Sequence, residues 1–144
     1  MLAHKYCGNV SRCFSHGIAA ASAEVRFVGA IYDKAVVQAL RFHSAAYVHG
    51  HQVGGTNPSL VEAMGAGNAV IAHDNPFNRW VAGDGAIYFN GADAFSRALD
   101  EVLPSPHLLE TMKVGTLQRY QEFFTWDKVL AEYEALLLEW LPAA

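Results

Sequence analysis

Tyr47-Val48-His49-Gly50-His51-Gln52-Val53-Gly54-Gly55-Thr56-Asn57-Pro58-Ser59-Leu60-Val61-Glu62-Ala63-Met64-Gly65-Ala66-Gly67 is the stretch whose reading decides the fold class. A β-branched and aromatic run enters a glycine-containing turn, and a helical pattern follows that opens at Asn57-Pro58 and stops at residues 65–67. Proline at the first helical position and glycine past the end are the asymmetry that helix termini favour. Working outward, short apolar runs at residues 25–31, 45–49, 69–73 and 86–89 alternate with helical patterns. The helix between the first two runs opens with Asp33 as N-cap and carries Val36, Val37 and Leu40 on one face. Such alternation predicts an α/β fold, a Rossmann-like parallel sheet flanked by helices.

After residue 89 the pattern is helical to the end, over 92–102, then from Ser105-Pro106, then from about Thr125. In the last helix Val129, Tyr133, Leu136, Leu137 and Trp140 form one apolar stripe, expected to pack against a sheet or another helix. Trp80, Trp126 and Trp140 read as packing residues.

The chain has 144 residues, 52% hydrophobic and 17% charged, which fits one compact domain with a sizeable core and excludes disordered and fibrous classes. The net charge of −4, with no Lys/Arg block, excludes nucleic acid as a partner, because cations neutralising phosphates supply most of that affinity. No apolar run approaches the roughly 18 to 20 residues of a membrane helix, and residues 1–23 lack the pattern of a signal peptide, so a cytoplasmic protein is expected. Cys7 and Cys13 are expected as reduced thiols. His4, Cys7, Cys13 and His16 match no standard zinc spacing, so neither a metal nor another cofactor is expected.

The loop before the helix at Pro58 suits an anion. A helix N-terminus carries partial positive charge and unpaired N–H groups, and Gly54 and Gly55 let phosphate oxygens approach the backbone. Thr56, Asn57 and Ser59 add neutral donors, and in open α/β sheets such a loop lies beyond the carboxyl ends of the strands, where ligands bind. The same residues also read simply as a turn and an N-cap. Glu62, one turn into the helix, could accept hydrogen bonds from ribose hydroxyls, which sharpens the reading to nucleoside diphosphate plus ribose. His49 and His51 could touch sugar or phosphate; a histidine at a strand end is equally a satisfied structural residue. Asn75, Asn78 and Arg79 follow the next strand at the same sheet edge, where Arg79 either neutralises a phosphate or sits in a solvated loop.

These residues resemble retaining glycosyltransferases of group 1, which have the two-Rossmann-domain GT-B architecture. The likeness is to bacterial rhamnosyltransferase-like members, whose pattern is similar to GAIYD at residues 29–33, YVHGHxVGGTNPSLxEAM at 47–64 and VIAHDNxFNR at 70–79. The resemblance implies that residues 25–144 are a nucleotide-sugar-binding Rossmann-like domain with C-terminal helices, half of a GT-B fold. Gly54, Gly55, Thr56, Asn57, Pro58 and Ser59 would hold the donor diphosphate and Glu62 its ribose, with Asn78 and Arg79 nearby and His49 and His51 as catalytic candidates. The wider superfamily carries a second glutamate at the position of Gly54, so that glutamate's contact with the donor sugar does not transfer to this chain.

Residues 1–24 read as an irregular or helical remnant, with a weak strand over 2–7 and a helical stretch over 15–24, so the domain is expected to be truncated on its N-terminal side. The acceptor, a glycan or a lipid-linked sugar in cell-surface polysaccharide synthesis, would bind a missing N-terminal domain, and the complete enzyme would associate peripherally with a membrane. An exposed sheet edge would favour a homo-oligomer. The donor implied is a nucleotide-diphosphate sugar, dTDP-rhamnose on resemblance alone. Two alternatives stand beside this reading: a noncatalytic nucleotide or nucleotide-sugar binding module, and a generic α/β scaffold.

Overall fold

The computed structural model describes residues 25–141. The N-terminal remnant and the His4, Cys7, Cys13 and His16 set lie outside these residues. In chain order the described elements are α1 (Lys34–His43), β1 (Ala46–His49), α2 (Pro58–Gly65), β2 (Ala69–His73), α3 (Pro76–Ala82), a 3₁₀ turn (Gly83–Gly85), β3 (Ile87–Phe89), α4 (Ala92–Val102), α5 (Pro106–Phe123) and α6 (Trp126–Trp140). The three strands form one parallel sheet in the order β1-β2-β3. Ala46 lies opposite Ala69, His49 opposite Ala72, and His73 opposite Phe89. The α/β class and the parallel sheet are as the alternation predicts.

The helix starts follow local chemistry. Asp33 accepts from the amides of Ala35 at 2.8 Å and Val36 at 3.3 Å, Asn57 from Ser59 at 3.0 Å, and Ser105 from Leu108 at 3.3 Å. Each bond satisfies a first-turn N–H that the helix itself leaves unpaired. Gly67, with φ +74°, turns the chain from α2 toward β2.

Strand alternation divides the core in two. Val70 and Ala72 meet Leu60 and Met64 of α2, Val81 and Ala82 of α3, and Tyr120 of α5. Ala69, Ile71 and Phe89 point the other way, onto Phe95, Ala98 and Val102 of α4 and Met112 of α5. The first half of α5 therefore serves one layer and its second half the other. Between them the Thr116 hydroxyl lies 2.7 Å from the carbonyl of Asn68, just before β2, so α5 crosses the amino-terminal edge of the sheet. A close approach brings α5 to the 3₁₀ turn: a Cβ on Gly85 would stand 2.6 Å from the Gly115 carbonyl carbon.

Two expectations are corrected. Residues 25–31 form no strand: Val25, Phe27 and Val28 are half or more exposed, and Gly29 breaks the run with φ +72°. Apolar alternation indicates a face to bury, but a strand also needs a hydrogen-bonding partner, and none pairs with this segment among the described residues. The stripe on α6 is not packed: Tyr133, Leu136, Leu137 and Trp140 are exposed, Trp140 by 80%. The amphipathic helix forms as its period requires, but the period does not specify what covers it. Likewise Trp126 is exposed, while Trp80 leans edge-on against Phe124 at 5.7 Å and keeps more than half its surface in solvent.

Candidate functional site

The carboxyl ends of β1 and β2 and the loop from β1 to α2 bring most of the candidate residues together. Tyr47 and His49 share one strand face, and their rings stack at 6.0 Å; His51 continues the stack at 5.2 Å from His49, with ring planes 14° apart. His49 is only 2% exposed, and its Nε2 is buried with no hydrogen-bond partner. Burial first, and the neighbouring His51 second, push its pKa below the ordinary histidine value. The side chain is therefore neutral at neutral pH, with a ring nitrogen ready for a polar partner.

The loop is pinned from below. The His51 carbonyl accepts from Asn75 Nδ2 at 3.0 Å and from Asn78 Nδ2 at 2.9 Å, and the latter also donates to the His73 carbonyl at 2.8 Å. Asn78 is buried, and its backbone amide is held in turn by Asn75 Oδ1 at 2.8 Å. Asn78 thus ties the end of β1 to the end of β2, and its amide protons are already engaged. Asn75 caps α3, so Arg79 lies on a helix and not in a solvated loop. Asn75-Pro76 repeats the Asn57-Pro58 signal and is where this helix could have been found.

Arg79 does not stand free. It forms a forked pair with Asp74, with Nη2 2.9 Å from Oδ2, and lies 4.5 Å over the Tyr88 ring. That hydrogen-bonded pairing lowers the Asp74 pKa and raises that of Arg79. The Tyr88 hydroxyl donates to the Gly83 carbonyl at 2.6 Å, and burial pushes its pKa up to about 12.

The anion cradle also differs in detail from the expectation of free first-turn amides. Pro58 has no N–H, Ser59 donates to Asn57 Oδ1, and Leu60 and Val61 donate to the Asn57 carbonyl at 3.0 and 3.2 Å. The cap that starts the helix uses the same groups an anion would need. The amides of Gly54, Gly55 and Thr56 make no hydrogen bond among the described residues, and these three residues are exposed. A Cβ at Gly54 or Gly55 would meet nothing within 4 Å, so the loop is open to solvent there. Gly54 has φ +129°, where other residues are strained.

Glu62 lies one turn farther along α2 and pairs with Arg41 of α1, Oε2 to Nη1 at 2.7 Å. The two line an open cleft of about 360 Å³ with Gln38, Phe42, Gly65, Ala66 and Tyr120. Sequence reasoning missed Arg41, because nothing in the spacing marks a partner on a preceding helix. No group of three or more metal-ligating side chains occurs among the described residues, and no described helix is long and apolar enough to cross a membrane.

The model of the family described as glycosyl transferases, group 1, matches residues 16–118. The chain belongs to that family. No curated protein matches it. The domain is a glycosyltransferase domain, its three-stranded parallel sheet is the Rossmann-like framework, and the β1–α2 segment lies within the matched region.

Proposed function

We propose that this glycosyltransferase domain binds a nucleoside-diphosphate sugar at the carboxyl edge of its sheet. The open loop at Gly54, Gly55 and Thr56, with unused amides beside the start of α2, carries this reading. The diphosphate rests on those amides and on the Thr56 and Ser59 hydroxyls, with Asn57 and Pro58 fixing the turn into the helix. Glu62 accepts from the ribose. His49 and His51 flank the donor sugar, while Asn78 and Arg79 shape the floor of the site through their contacts with the His51 carbonyl and Asp74.

In the transfer, the sugar–phosphate bond breaks and the diphosphate leaves with its electron pair, while the acceptor oxygen forms the glycosidic bond and its proton passes to the leaving phosphate oxygen. The domain's main task is to stabilise charge on the leaving diphosphate, which preorganised dipoles can do. By resemblance the donor is a rhamnosyl one, dTDP-rhamnose, and the acceptor a glycan or lipid-linked sugar of cell-surface polysaccharide, held on a second domain. The β1 edge, which pairs with no strand among the described residues, is where another chain would add.

The test is a calorimetric and thermal-shift titration of the chain with dTDP, UDP and GDP, beside Glu62→Ala. Saturable binding of one nucleotide, weakened by that substitution, supports the reading; no binding by the folded chain refutes it. Glycine at residue 54, where the superfamily has a glutamate, favours a second reading, a noncatalytic nucleotide-sugar module. Binding with no sugar transfer, even when an acceptor-binding half is supplied, would select it.

A further inference from the structure

We propose that Arg41 is a positioning residue for Glu62, holding its carboxylate where it receives the free hydroxyls of the nucleotide's ribose. The proposal rests on the reading of Glu62 as the ribose acceptor.

Glu62 is a surface side chain, 59% exposed, and an isolated glutamate there would sample several rotamers. Arg41, only 16% exposed, binds one of its oxygens, Oε2 at 2.7 Å, and Oε1 has no partner among the described residues. This single-point ion pair draws Oε2 toward α1 and so narrows the rotamers of Glu62, while the carboxylate can still turn about the contact. The carboxylate retains acceptor capacity for two donors.

The backbone of Arg41 is itself fixed. Its carbonyl accepts from Ser44 Oγ at 2.8 Å and from Asn68 Nδ2 at 2.5 Å. Asn68 is buried, and its carbonyl takes the bond from Thr116 of α5. A continuous set of hydrogen bonds thus runs from α5 through the start of β2 to the last turn of α1. The Tyr47 phenol lies close enough to feel both charges: burial raises its pKa, Arg41 lowers it, and Glu62 raises it.

A pair of this exposure contributes little to folding stability. The test therefore reads recognition of the ribose rather than stability. UDP, GDP and dTDP are titrated into the full chain, each beside the analogue lacking its remaining ribose hydroxyls, using wild type, Glu62→Ala, Arg41→Gln and Arg41→Lys. Wild type should prefer the hydroxylated form of its nucleotide by roughly tenfold or more, as expected of hydrogen bonds to a charged group. Glu62→Ala should abolish the preference, Arg41→Gln should reduce it to about threefold or less, and Arg41→Lys should fall between them. Arg41→Lys keeps the charge and carries the test if Arg41→Gln melts below the assay temperature. Wild-type discrimination in the arginine variants, with loss in Glu62→Ala, would overturn the role of Arg41 and leave the ribose reading standing. Unchanged discrimination in Glu62→Ala, or no nucleotide bound by wild type, would overturn both.

Discussion

Replacing Asn78 by alanine should destabilise the domain and loosen its ligand loop together. Asn78 Nδ2 serves two carbonyls, those of His51 and His73, at 2.9 and 2.8 Å in a buried position. A net hydrogen bond is worth about 1 to 1.5 kcal/mol, and a buried group left unpaired costs more. The His51 carbonyl keeps its bond from Asn75, so the heavier loss falls at His73. The sum is about 2 to 3 kcal/mol, or a fall in Tm of roughly 6 to 12 °C for a domain of this size. Circular dichroism melts of wild type and Asn78→Ala measure it, and a nucleotide titration of the same samples should reveal weaker binding, because the 50–57 loop has lost one of its two tethers. A variant melting within about 2 °C of wild type yet binding more weakly would refute the reasoning, since Asn78 would then act by touching the ligand.

Three further outcomes are expected. Gly85→Ala would drive a Cβ to 2.6 Å from backbone of α5, which cannot yield as a side chain can, so it should cost about 1 to 3 kcal/mol or more in a denaturant melt; a neutral result would place α5 farther from the turn. His49 has a depressed pKa in the folded state, so the unfolded chain binds the proton more readily. Stability is fully present above about pH 6.5 and falls on acidification until the folded pKa is passed, by at most about 1.4 kcal/mol per pH unit, and His49→Gln should remove that component of a stability-versus-pH curve. Leu137→Glu, on the exposed face of α6, should change monomer stability by no more than about 0.5 kcal/mol, whereas Leu60→Ala, fully buried, should cost about 2 to 5 kcal/mol; equal losses in urea melts would mean that the α6 stripe is covered in solution.

Local signals were legible where backbone chemistry dictates the outcome. Asp33, Asn57 and Ser105 cap the helices they were expected to open, and the runs near 46–49, 69–73 and 87–89 are the strands. Properties that depend on a distant partner were not legible. The segment at 25–31 has strand composition, but pairing is a relation between two segments, and Gly29 carries a backbone angle that no apolar count reveals. The α6 period is helical, yet its cover is not encoded in α6. Gly85 and Gly115 look unremarkable thirty residues apart, and only tertiary structure makes each a requirement of the other. At the candidate site, the loop and Glu62 can be read from their order along the chain, whereas Arg41 and the carbonyl pins from Asn75 and Asn78 cannot, because they arrive from other elements.

Those contacts change how the proposed site handles charge. Arg41 and Arg79, the arginines nearest the loop in sequence, are each paired with a carboxylate, and the first-turn amides of α2 are engaged by Asn57. A diphosphate bound as proposed would be met by oriented neutral dipoles: the amides of Gly54, Gly55 and Thr56 and the hydroxyls of Thr56 and Ser59. Such dipoles stabilise an anion only if they are already aligned when it arrives, because turning them afterwards costs the energy they would return. Alignment here depends on the loop's anchorage at the His51 carbonyl. In that arrangement the asparagines beneath the loop would act through the carbonyl they hold, and Gly54 places no negative charge among these donors.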